Sequence, residues 1–488
     1  MAKVPEDRKQ KLDALREGGI NPYANRCPGT RFIRGSLEAI ERDETPPAHV
    51  AGRILAVRHH GKSAFLRLKD STGEIQVYLQ KDRLGADEFE IYKLLDLGDF
   101  VAVEGECGRT RTGEATIFAD RFQVLTKSLL PPPEKWHGLR DVELRYRHRY
   151  VDLFSNDDVV KVFRLRSRVV SEIRGFLAGR DFLEVETPMM HPIAGGAAAR
   201  PFITHHNTLD MDLFMRVAPE LYLKRLLVGG LDRVYEVNRS FRNEGISPRH
   251  NPEYTMLEAY QAYADYSDMM ELTESLLVQV IRATRGEETE TLEYQGRTIS
   301  VRAPFARRPY GELLREKGGI GLEATPDEVR ARAGALGIET KGVEHWKLLN
   351  EVFEKTVEPT LVDPTFVTDY PVPICPLSKA KEDDPTVAER FELFVAGMEL
   401  VNAFSELNDP LDQEERFRRQ VDSRDEEAPA EVDQDYVTAL LYGMPPAGGM
   451  GLGVDRLIML LSDSASIRDV ILFPLLRRSP AETEPVKS

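Results

Sequence analysis

Between residues 50 and 127 the chain alternates apolar and polar residues in short stretches. Two of these stretches flank a polar turn, and their apolar positions are Leu66, Leu68, Ile75, Val77 and Leu79. Successive side chains of a strand point to opposite faces, so this spacing predicts strands with one buried face. Several such strands in succession predict a small β-barrel.

Much of the remaining chain has helical spacing. Residues 5–17 form a short amphipathic stretch that ends at a pair of glycines. A longer stretch, residues 159–177, carries apolar residues at helical intervals, and residues 182–186 after it indicate a short strand before Pro188. Residues 267 to about 345 are also predicted to be helical.

Proline and charge divide the chain into regions. The stretch Leu130–Pro133 predicts a stiff linker, and the basic residues after it lead into a new domain. The barrel is of the type that binds oligonucleotides. We therefore expect a helical extension at 1–49, the barrel domain at 50–135, a linker at 136–150, a larger domain at 151–478 and a disordered tail at 479–488.

Composition narrows the class of protein. The chain has 488 residues, 41% of them hydrophobic, which is enough for two or three cores. No apolar run approaches the roughly 18 residues of a membrane span, so we expect a cytoplasmic protein with no membrane segment. The net charge of -16 argues against nonspecific nucleic-acid binding and would confine RNA contacts to local basic patches. The three cysteines lack metal-ligand spacing, and neither zinc nor disulfides are expected.

Two predicted strands around a polar turn, in residues 233–262, bring an arginine beside an aromatic residue. By alternation Arg242 lies on the face opposite to Tyr235, while Tyr254 and Glu258 share one face of the return strand. A nucleotide base could stack on Tyr254 beside Arg242. An ordinary hairpin with a solvated arginine is the alternative.

A second strand pair, around the turn Ala396-Gly397, brings two carboxylates together. With a two-residue turn, Glu399 faces Phe394 and is a diagonal neighbour of Glu392. Apolar neighbours predict that the pair is largely buried, with no basic partner nearby in sequence. Buried like charges need a cation, and magnesium bridging ATP phosphates fits oxygen ligands. Two solvated glutamates are the alternative.

A glycine-rich stretch at residues 448–453 precedes Asp455, Arg456 and an apolar run. Glycine permits close approach, so the stretch indicates a strand that passes near a ligand and continues into a helix. A tightly packed core strand is the alternative.

Three stretches resemble the motifs of the class II aminoacyl-tRNA synthetases. Arg-Asn-Glu-Gly-Ile-Ser at 242–247, followed by Arg-His-Asn-Pro-Glu at 249–253, is similar to motif 2 of the lysyl branch. Gly-Leu-Gly-Val-Asp-Arg at 451–456 resembles motif 3, and the helix and strand that end near Pro188 resemble motif 1, a dimer interface. The motifs would occupy about 158–190, 231–263 and 447–462. The likeness implies an α+β fold, with an antiparallel-sheet catalytic domain behind an N-terminal OB-fold barrel.

The resemblance also implies an ATP site and a metal site. Arg242 would hold the α-phosphate and the substrate carboxylate, and Arg456 the γ-phosphate, which makes these two the expected catalytic residues. The other ATP contacts would be Glu244, His250, Asn251 and Tyr254, where Tyr254 stands in place of the family's usual phenylalanine. Glu392 and Glu399 would hold Mg²⁺.

A pocket for a cationic amino acid must supply carboxylates. The candidates are Glu220, Glu258 and Glu406, with Tyr260 and Asn402 as neighbours and Gly196 lining the site. The corresponding lysyl-family residues bind the amines of lysine. An aspartyl enzyme would need a cation here and an asparaginyl enzyme a neutral amide partner, which favours lysine. Alternation does not assign the glutamates to the two amines, and we choose Glu406 with Tyr260 for the ε-ammonium.

On the barrel, alternation puts Arg67 opposite Gln76 and Phe65 opposite Tyr78, on the face away from the leucine core. An exposed aromatic pair beside an arginine and an amide could stack unpaired bases. Stray surface aromatics are the alternative. In lysyl enzymes the residues that match Phe65, Gln76 and Glu114 contact the anticodon, so we expect all five residues to do so here.

The family likeness implies ATP-dependent attachment of L-lysine to tRNA(Lys) by a homodimer. The lysine carboxylate would displace pyrophosphate from ATP to give lysyl-adenylate, and the terminal adenosine of the tRNA would then release AMP. A paralogue that lysylates a protein is disfavoured because such proteins lack the barrel. A regulator without catalysis would not need the phosphate and metal residues.

Overall fold

The computed structural model describes residues 3–27, 29–133, 139, 141–197, 199–423 and 431–477. The chain forms two compact units, Met1–Arg140 and Asp141–Ser488. The tail predicted at 479–488, and residues 136–138 and 140 of the predicted linker, lie outside the described residues. Among the residues described, no helix has both the length and the apolar composition that crossing a membrane requires.

The first unit consists of two helices, a barrel and two short helices. Its elements are α1 Glu6–Glu17, α2 Ile33–Glu41, β1 Pro47–His60, β2 Ser63–Lys69, β3 Glu74–Gln80, α3 Lys81–Leu84, α4 Ala86–Ile91, β4 Phe100–Arg109 and β5 Ala115–Thr126. The strands close into a barrel in the order β1-β2-β3-β5-β4, which confirms the predicted barrel.

Apolar alternation builds the barrel interior. Leu66, Leu68 and Val77 are at most 1% exposed. The helical extension predicted at residues 1–49 packs on the barrel, because Leu15 of α1 and Ile33 of α2 lie in the barrel core. The barrel buries the apolar faces of the two helices.

The second unit contains the larger sheet. Its elements are α5 Val142–Arg147, α6 Arg149–Ser155, α7 Asp157–Ala178, β6 Leu183–Glu184, β7 Met190–His191, β8 Ile203–His206, β9 Met211–Met215, α8 Glu220–Val228, β10 Arg233–Phe241, β11 Glu253–Ala262, α9 Tyr266–Arg285, β12 Thr291–Tyr294, β13 Arg297–Ser300, β14 Ala306–Pro309, α10 Tyr310–Leu313, α11 Pro326–Ala335, α12 His345–Thr356, β15 Thr365–Pro371, β16 Val387–Val395, β17 Met398–Ser405, α13 Pro410–Ser423, α14 Gln434–Leu441, β18 Ala447–Gly453, α15 Val454–Ser462 and α16 Ile467–Val470.

Eight strands form one sheet in the order β14-β15-β16-β17-β18-β11-β10-β6. The inner pairs are antiparallel, and the edge pairs β14 with β15 and β6 with β10 are parallel. Strands β7, β9 and β8 form a separate sheet, and β12 and β13 form a hairpin. The mainly antiparallel sheet with its helices confirms the expected α+β fold.

The two faces of the eight-stranded sheet have different roles. Tyr235, Leu257 and Leu452 face the main core, which also contains apolar residues of α7, α9 and α15. Because side chains alternate, Glu258 and Tyr260 of β11 point to the opposite face. These two polar residues of β11 therefore lie on the face away from the main core.

Two regions differ from the sequence prediction. The predicted linker extends to residue 150, but α5 and α6 already belong to the second unit. Asp141 caps α5 by accepting the N–H of Leu144 at 2.9 Å, and the hydroxyl of Tyr146 donates to Asp469 at 2.8 Å. The stretch 267–345 is not helical throughout, because it contains β12, β13 and the edge strand β14.

Candidate active site

A cavity opens on the polar face of the large sheet. The predicted ATP, lysine and metal residues that line it are Gly196, Glu220, Arg242, Glu244, His250, Asn251, Tyr254, Glu258, Tyr260, Glu399, Asn402 and Arg456. Glu392 and Glu406 are not part of this lining. The fold therefore gathers residues from separate parts of the chain around one space.

The β10–β11 hairpin supplies the centre of the cavity. Glu236 pairs with Glu258 and Ser240 with Tyr254. Arg242 follows β10, its N–H donates to the carbonyl of Pro252 at 2.9 Å, and its guanidinium lies 5.4 Å from the ring centre of Tyr254. Arg242 and Tyr254 thus lie side by side, as alternation along the strands predicts.

Several polar atoms around the hairpin are buried without a partner. Arg242 Nε, Asn251 Oδ1 and the hydroxyl of Tyr254 make no hydrogen bond with any residue that the structure describes. A buried polar group without a partner carries a desolvation cost. All three residues line the cavity, so a polar ligand that supplied hydrogen bonds there would offset that cost.

Arg456 and His250 meet at the other end of the cavity. Partial desolvation, with the positive charges of Arg456 and Arg242, lowers the pKa of His250. A neutral imidazole accepts from Arg456 through Nε2 at 3.3 Å, which leaves Nδ1 to donate to Ser247 Oγ at 2.9 Å. The two side chains therefore support each other without repulsion.

Asp455 is a site-building residue that sequence reasoning missed. Its Oδ2 accepts the N–H of Thr255 at 2.7 Å, and its Oδ1 is held by Arg166 of α7 at 2.5 Å. Asp455 thereby joins the start of β11 to the start of α15, next to Arg456. The position of Asp455 beside Arg456 in the motif could have indicated a role in the site. Nothing in the sequence indicated that Asp455 pairs with the distant Arg166.

The two predicted metal carboxylates are not without basic partners, contrary to expectation. Arg390, two residues before Glu392, binds Glu392 at 2.5 Å, and Arg456 binds Glu399 at 3.1 Å. A bulge between Leu393 and Phe394 shifts the register, so that Glu392 lies opposite Asn402. Arg390 also donates from Nε to Asn402 Oδ1 at 3.0 Å.

Carboxyl groups crowd this end of the cavity. Burial raises the pKa of Glu392, and the nearby charge of Glu399 adds to the rise. Partial burial and the charge of Glu392 raise the pKa of Glu358 to about 8. Within the described ranges no group of three or more His, Cys, Asp or Glu side chains could hold a metal ion. A cation here would need further oxygen ligands, such as those of a phosphate chain.

Glu406 also has a basic partner that the sequence reasoning did not foresee. Lys224 of α8 donates to Glu220 at 2.7 Å and forms an ion pair with Glu406. Burial lowers the pKa of Lys224, but the charges of Glu220 and Glu406 outweigh burial and leave that pKa raised. Lys224 therefore stays charged. The ion pair joins Lys224 of α8 to Glu406, which follows β17 and is far away in sequence. Alternation along a single strand cannot predict such a contact.

Glu258 differs from the other two pocket glutamates. It is 6% exposed, and its carboxylate accepts a hydrogen bond from the hydroxyl of Tyr260 at 3.0 Å. Burial, and then the charge of Glu220, raise the pKa of Glu258 to about 8. No cation pairs with Glu258 among the residues described.

Two glycines shape the pocket around these carboxylates. A Cβ at Gly449 would lie 2.0 Å from Glu406 Oε1 and 2.5 Å from Tyr260 Cε1. The glycine-rich strand therefore makes room for its neighbours' side chains, in addition to lining the cavity. Gly196 has a φ of +89°, a left-handed conformation that favours glycine.

The barrel holds the predicted base-stacking face only in part. Phe65 and Tyr78 pack with ring centres 4.7 Å apart, and Arg67 binds Glu114 at 2.6 Å. Gln76 lies opposite Arg67 but is only 8% exposed. Its amide donates to Thr116 at 2.9 Å, because β5 pairs alongside β3 and covers it.

The predicted dimer residue lies at the surface. Pro188 is exposed between β6 and β7. Leu183 and Met190 on either side are 51% and 52% exposed. We call these three exposed apolar residues the motif 1 patch.

Comparisons with known proteins agree with this architecture. Residues 141–477 match the model of the tRNA synthetases class II (D, K and N), and residues 48–125 match that of an OB-fold nucleic acid binding domain. The lysine–tRNA ligase of Carboxydothermus hydrogenoformans is 54% identical over 476 residues, 96% of this chain and 97% of that protein. That of Staphylococcus aureus strain MW2 is 47% identical over 490 residues, 96% of this chain and 98% of that protein. The chain therefore belongs to the class II tRNA synthetases of the D, K and N group, in the branch of the lysine–tRNA ligases.

Proposed function

We propose that this protein attaches L-lysine to tRNA(Lys) with ATP, through a lysyl-adenylate. The observation that carries the proposal is the buried carboxylate of Glu258, which has no cation partner within the described residues. Burial favours the protonated form of this group, and an ammonium group bound beside it would stabilise the ionised form instead. Lysine brings two ammonium groups to a cavity that also contains Arg242 for its carboxylate, and the relatives' names specify lysine.

In the first step, positioning and charge stabilisation do the chemical work. Tyr254 would stack on the adenine ring, with Glu244, His250 and Asn251 as further contacts. Arg242 would hold the lysine carboxylate against the α-phosphate for in-line attack, and Arg456 would hold the γ-phosphate. The unpartnered Nε of Arg242 supports this role. The lysine carboxylate is itself the nucleophile, so no side chain has to attack.

Magnesium would neutralise the charge on the phosphates when bound. Glu392 and Glu399 would hold it together with phosphate oxygens. Burial, and then the charge of Glu392, raise the pKa of the nearby Glu358, and a cation held by Glu392 and Glu399 would lessen the second of these effects. Arg390 pairs with Glu392 and Arg456 with Glu399, and ATP phosphates would compete with Glu399 for Arg456.

The pocket composition favours lysine over the other two amino acids of this family. Glu220, Glu258 and Glu406 supply three carboxylates, with Tyr260 and Asn402 beside them and Gly196 at the rim. Glu406 Oε1 is buried, lacks a hydrogen bond in the described part of the chain and lies beside Gly449 in the cavity wall. An ammonium group supplies the missing donor, whereas the carboxylate of aspartate would be repelled.

The second step needs tRNA recognition by the first unit. Phe65 and Tyr78 are half-buried rings in contact on the barrel, and Arg67 with Glu114 lies beside them. Such a pair could stack anticodon bases. Gln76 would contribute indirectly, because its hydrogen bond to Thr116 joins β3 to β5 beside these residues.

We also infer that the protein is a cytoplasmic homodimer. The motif 1 patch of Leu183, Pro188 and Met190 presents apolar surface that a second copy could bury. Sedimentation velocity of the wild type and of Met190→Asp tests this, with dimer loss expected in the variant. An unchanged dimer would move the interface away from the patch.

Lysine-dependent exchange of pyrophosphate into ATP, followed by charging of tRNA, tests the proposed function. We expect exchange with lysine and not with aspartate or asparagine, and then lysyl-tRNA on addition of tRNA(Lys). Exchange without charging of tRNA would favour a paralogue that modifies a protein. Failure of exchange by the folded protein would favour a regulator and contradict the proposal.

A further inference from the structure

A lysine of the chain itself lies behind the candidate pocket. The side chain of Lys224 is 0% exposed, and its Nζ donates to Glu220 Oε1 at 2.7 Å while pairing with Glu406. Glu220 lies one turn earlier in α8, whereas Glu406 follows β17. Lys224 therefore joins two distant parts of the pocket without lining the cavity.

Lys224 fixes how both glutamates face the cavity. Glu220 lines it directly. Glu406 turns Oε2 toward Lys224, and its Oε1 lies beside Gly449, which lines the cavity. An ammonium group that holds one oxygen of each carboxylate leaves the other oxygen able to accept from a ligand.

Lys224 also sets the charge that the pocket offers. Glu220, Glu258 and Glu406 carry three negative charges when ionised, and the ammonium group of Lys224 leaves two of them unbalanced. A diamino acid brings two ammonium groups, while its carboxylate would be met by Arg242. An amino acid with a neutral side chain would leave one carboxylate without a cation, which would stay protonated or remain as an unbalanced buried charge, so this ligand would gain less from the pocket.

We propose that Lys224 is a positioning residue that selects the substrate. By bridging Glu220 and Glu406 it limits the pocket to two unbalanced carboxylates and so favours amino acids with two ammonium groups. The inference rests on the proposed function and deepens it. Lys224 acts through the two glutamates and does not touch the substrate.

The decisive test removes two charges in turn and measures pyrophosphate exchange. In Glu406→Gln the ammonium group of Lys224 faces Glu220 alone, and the pocket keeps one unbalanced charge. Adding Lys224→Met removes the ammonium group, so that Glu220 and Glu258 leave two unbalanced negative charges in the pocket. We expect the double variant to have a KM for lysine about fivefold or more below that of Glu406→Gln, with the KM for ATP within about twofold.

Selectivity gives a second readout that a purely structural role would not move. 6-Hydroxynorleucine has the length of lysine but carries a hydroxyl group in place of the ε-ammonium. Its inhibition constant in the lysine-dependent exchange measures how far the pocket prefers a charge. The preference for lysine over this analogue should rise from Glu406→Gln to the double variant.

Lys127→Met is the matched control. Lys127 is also a buried lysine that bridges two carboxylates, Asp96 at 2.6 Å and Asp99 at 2.8 Å, but in the first unit. Its substitution reports what the loss of such a bridge does to folding. Lys127→Met should not change the KM for lysine, whether it is introduced into the wild type or into Glu406→Gln.

Two results separate this inference from the proposed function. Exchange by the wild type that does not depend on lysine would overturn both. Lysine-dependent exchange, with lysine binding weaker in the double variant than in Glu406→Gln, would overturn the role of Lys224 alone. If circular dichroism shows that the double variant is unfolded, Lys224→Gln with Glu406→Gln is measured by the same criterion.

Discussion

Glu236 and Glu258 lie directly opposite each other on the antiparallel strands β10 and β11. Both side chains are buried, but they differ in their charged partners. Glu236 is held by Arg216 at 2.8 Å. Glu258 accepts a hydrogen bond from Tyr260 and has no cation partner among the described residues. Like charges directly opposite in a sheet are destabilising, so a cationic ligand would favour the ionised form of Glu258.

This relationship predicts a pH dependence of lysine binding. The pKa of Glu258 is raised to about 8, so the ligand-free protein holds a proton there at neutral pH, and an ammonium group binds the ionised form. The KM for lysine should therefore fall about tenfold or more as the pH rises from about 6.5 to about 8.5. Glu258→Gln should raise the KM for lysine and remove this slope.

The control for Glu258→Gln is Glu253→Gln on the same strand. Glu253 is half exposed and lies 3.6 Å from Arg239. Its loss should change neither the KM for lysine nor the pH dependence of that KM. If Glu258→Gln kept the pH dependence of the KM for lysine, a group other than Glu258 would be responsible for it.

Arg242→Ala should abolish pyrophosphate exchange while leaving the fold intact. The guanidinium lies beside Tyr254 and lines the cavity, where transition-state charge on the α-phosphate would develop. Loss of such a group commonly costs about a hundredfold or more in rate. Arg239→Ala, three residues earlier, is the matched control, and near wild-type exchange by folded Arg242→Ala would remove Arg242 from the site.

Residues on one strand were predictable from the sequence, because alternation fixes their face. Tyr254, Glu258 and Tyr260 therefore share the face that sequence reasoning assigned to them. Contacts between elements were not predictable in this way. The ion pairs of Lys224 with Glu406 and of Arg166 with Asp455 join residues brought together only by folding.

Contacts between elements also explain why the predictions for Gln76 and for the linker at 136–150 differ from the structure. Gln76 has the alternation of an exposed residue, but β5 covers it, which the pattern of β3 alone cannot reveal. The helices of residues 142–155 follow a proline-rich stretch and are short, so their local pattern resembles a linker. Tertiary contacts, such as that of Tyr146 with Asp469, hold them in the second unit.

Gly449→Ala should impair lysine binding more than ATP binding. The added Cβ would meet Glu406 Oε1 at 2.0 Å and Tyr260 Cε1 at 2.5 Å, and both side chains are proposed to bind lysine. We expect the KM for lysine to rise about tenfold or more, in keeping with the usual penalty of overpacking.

Gly451→Ala is the comparison for this variant. Its Cβ would meet the flexible end of Met256 at 3.1 Å, which can move aside, so the effect should be smaller. Equal effects of the two substitutions on the lysine and ATP constants would show that the strand tolerates no side chain at all.

The last prediction concerns the division of labour between the two units. Phe65 lies in the barrel, in a unit distinct from the one that contains every ATP and lysine candidate. It packs against Tyr78 with ring centres 4.7 Å apart, a platform on which an unpaired base could stack. Phe65→Ala should therefore slow tRNA charging and leave pyrophosphate exchange unchanged.

Loss of one stacked base is worth about 1 to 3 kcal/mol, which corresponds to a roughly five- to hundredfold lower charging efficiency. Phe32→Ala is the matched control, because Phe32 is a 66% exposed phenylalanine of the same unit with no predicted role. Because adenylate formation takes place in the other unit, slower exchange in Phe65→Ala would indicate damage to the fold. Normal charging by Phe65→Ala would mean that Phe65 is an ordinary surface aromatic and that another face of the barrel reads the anticodon.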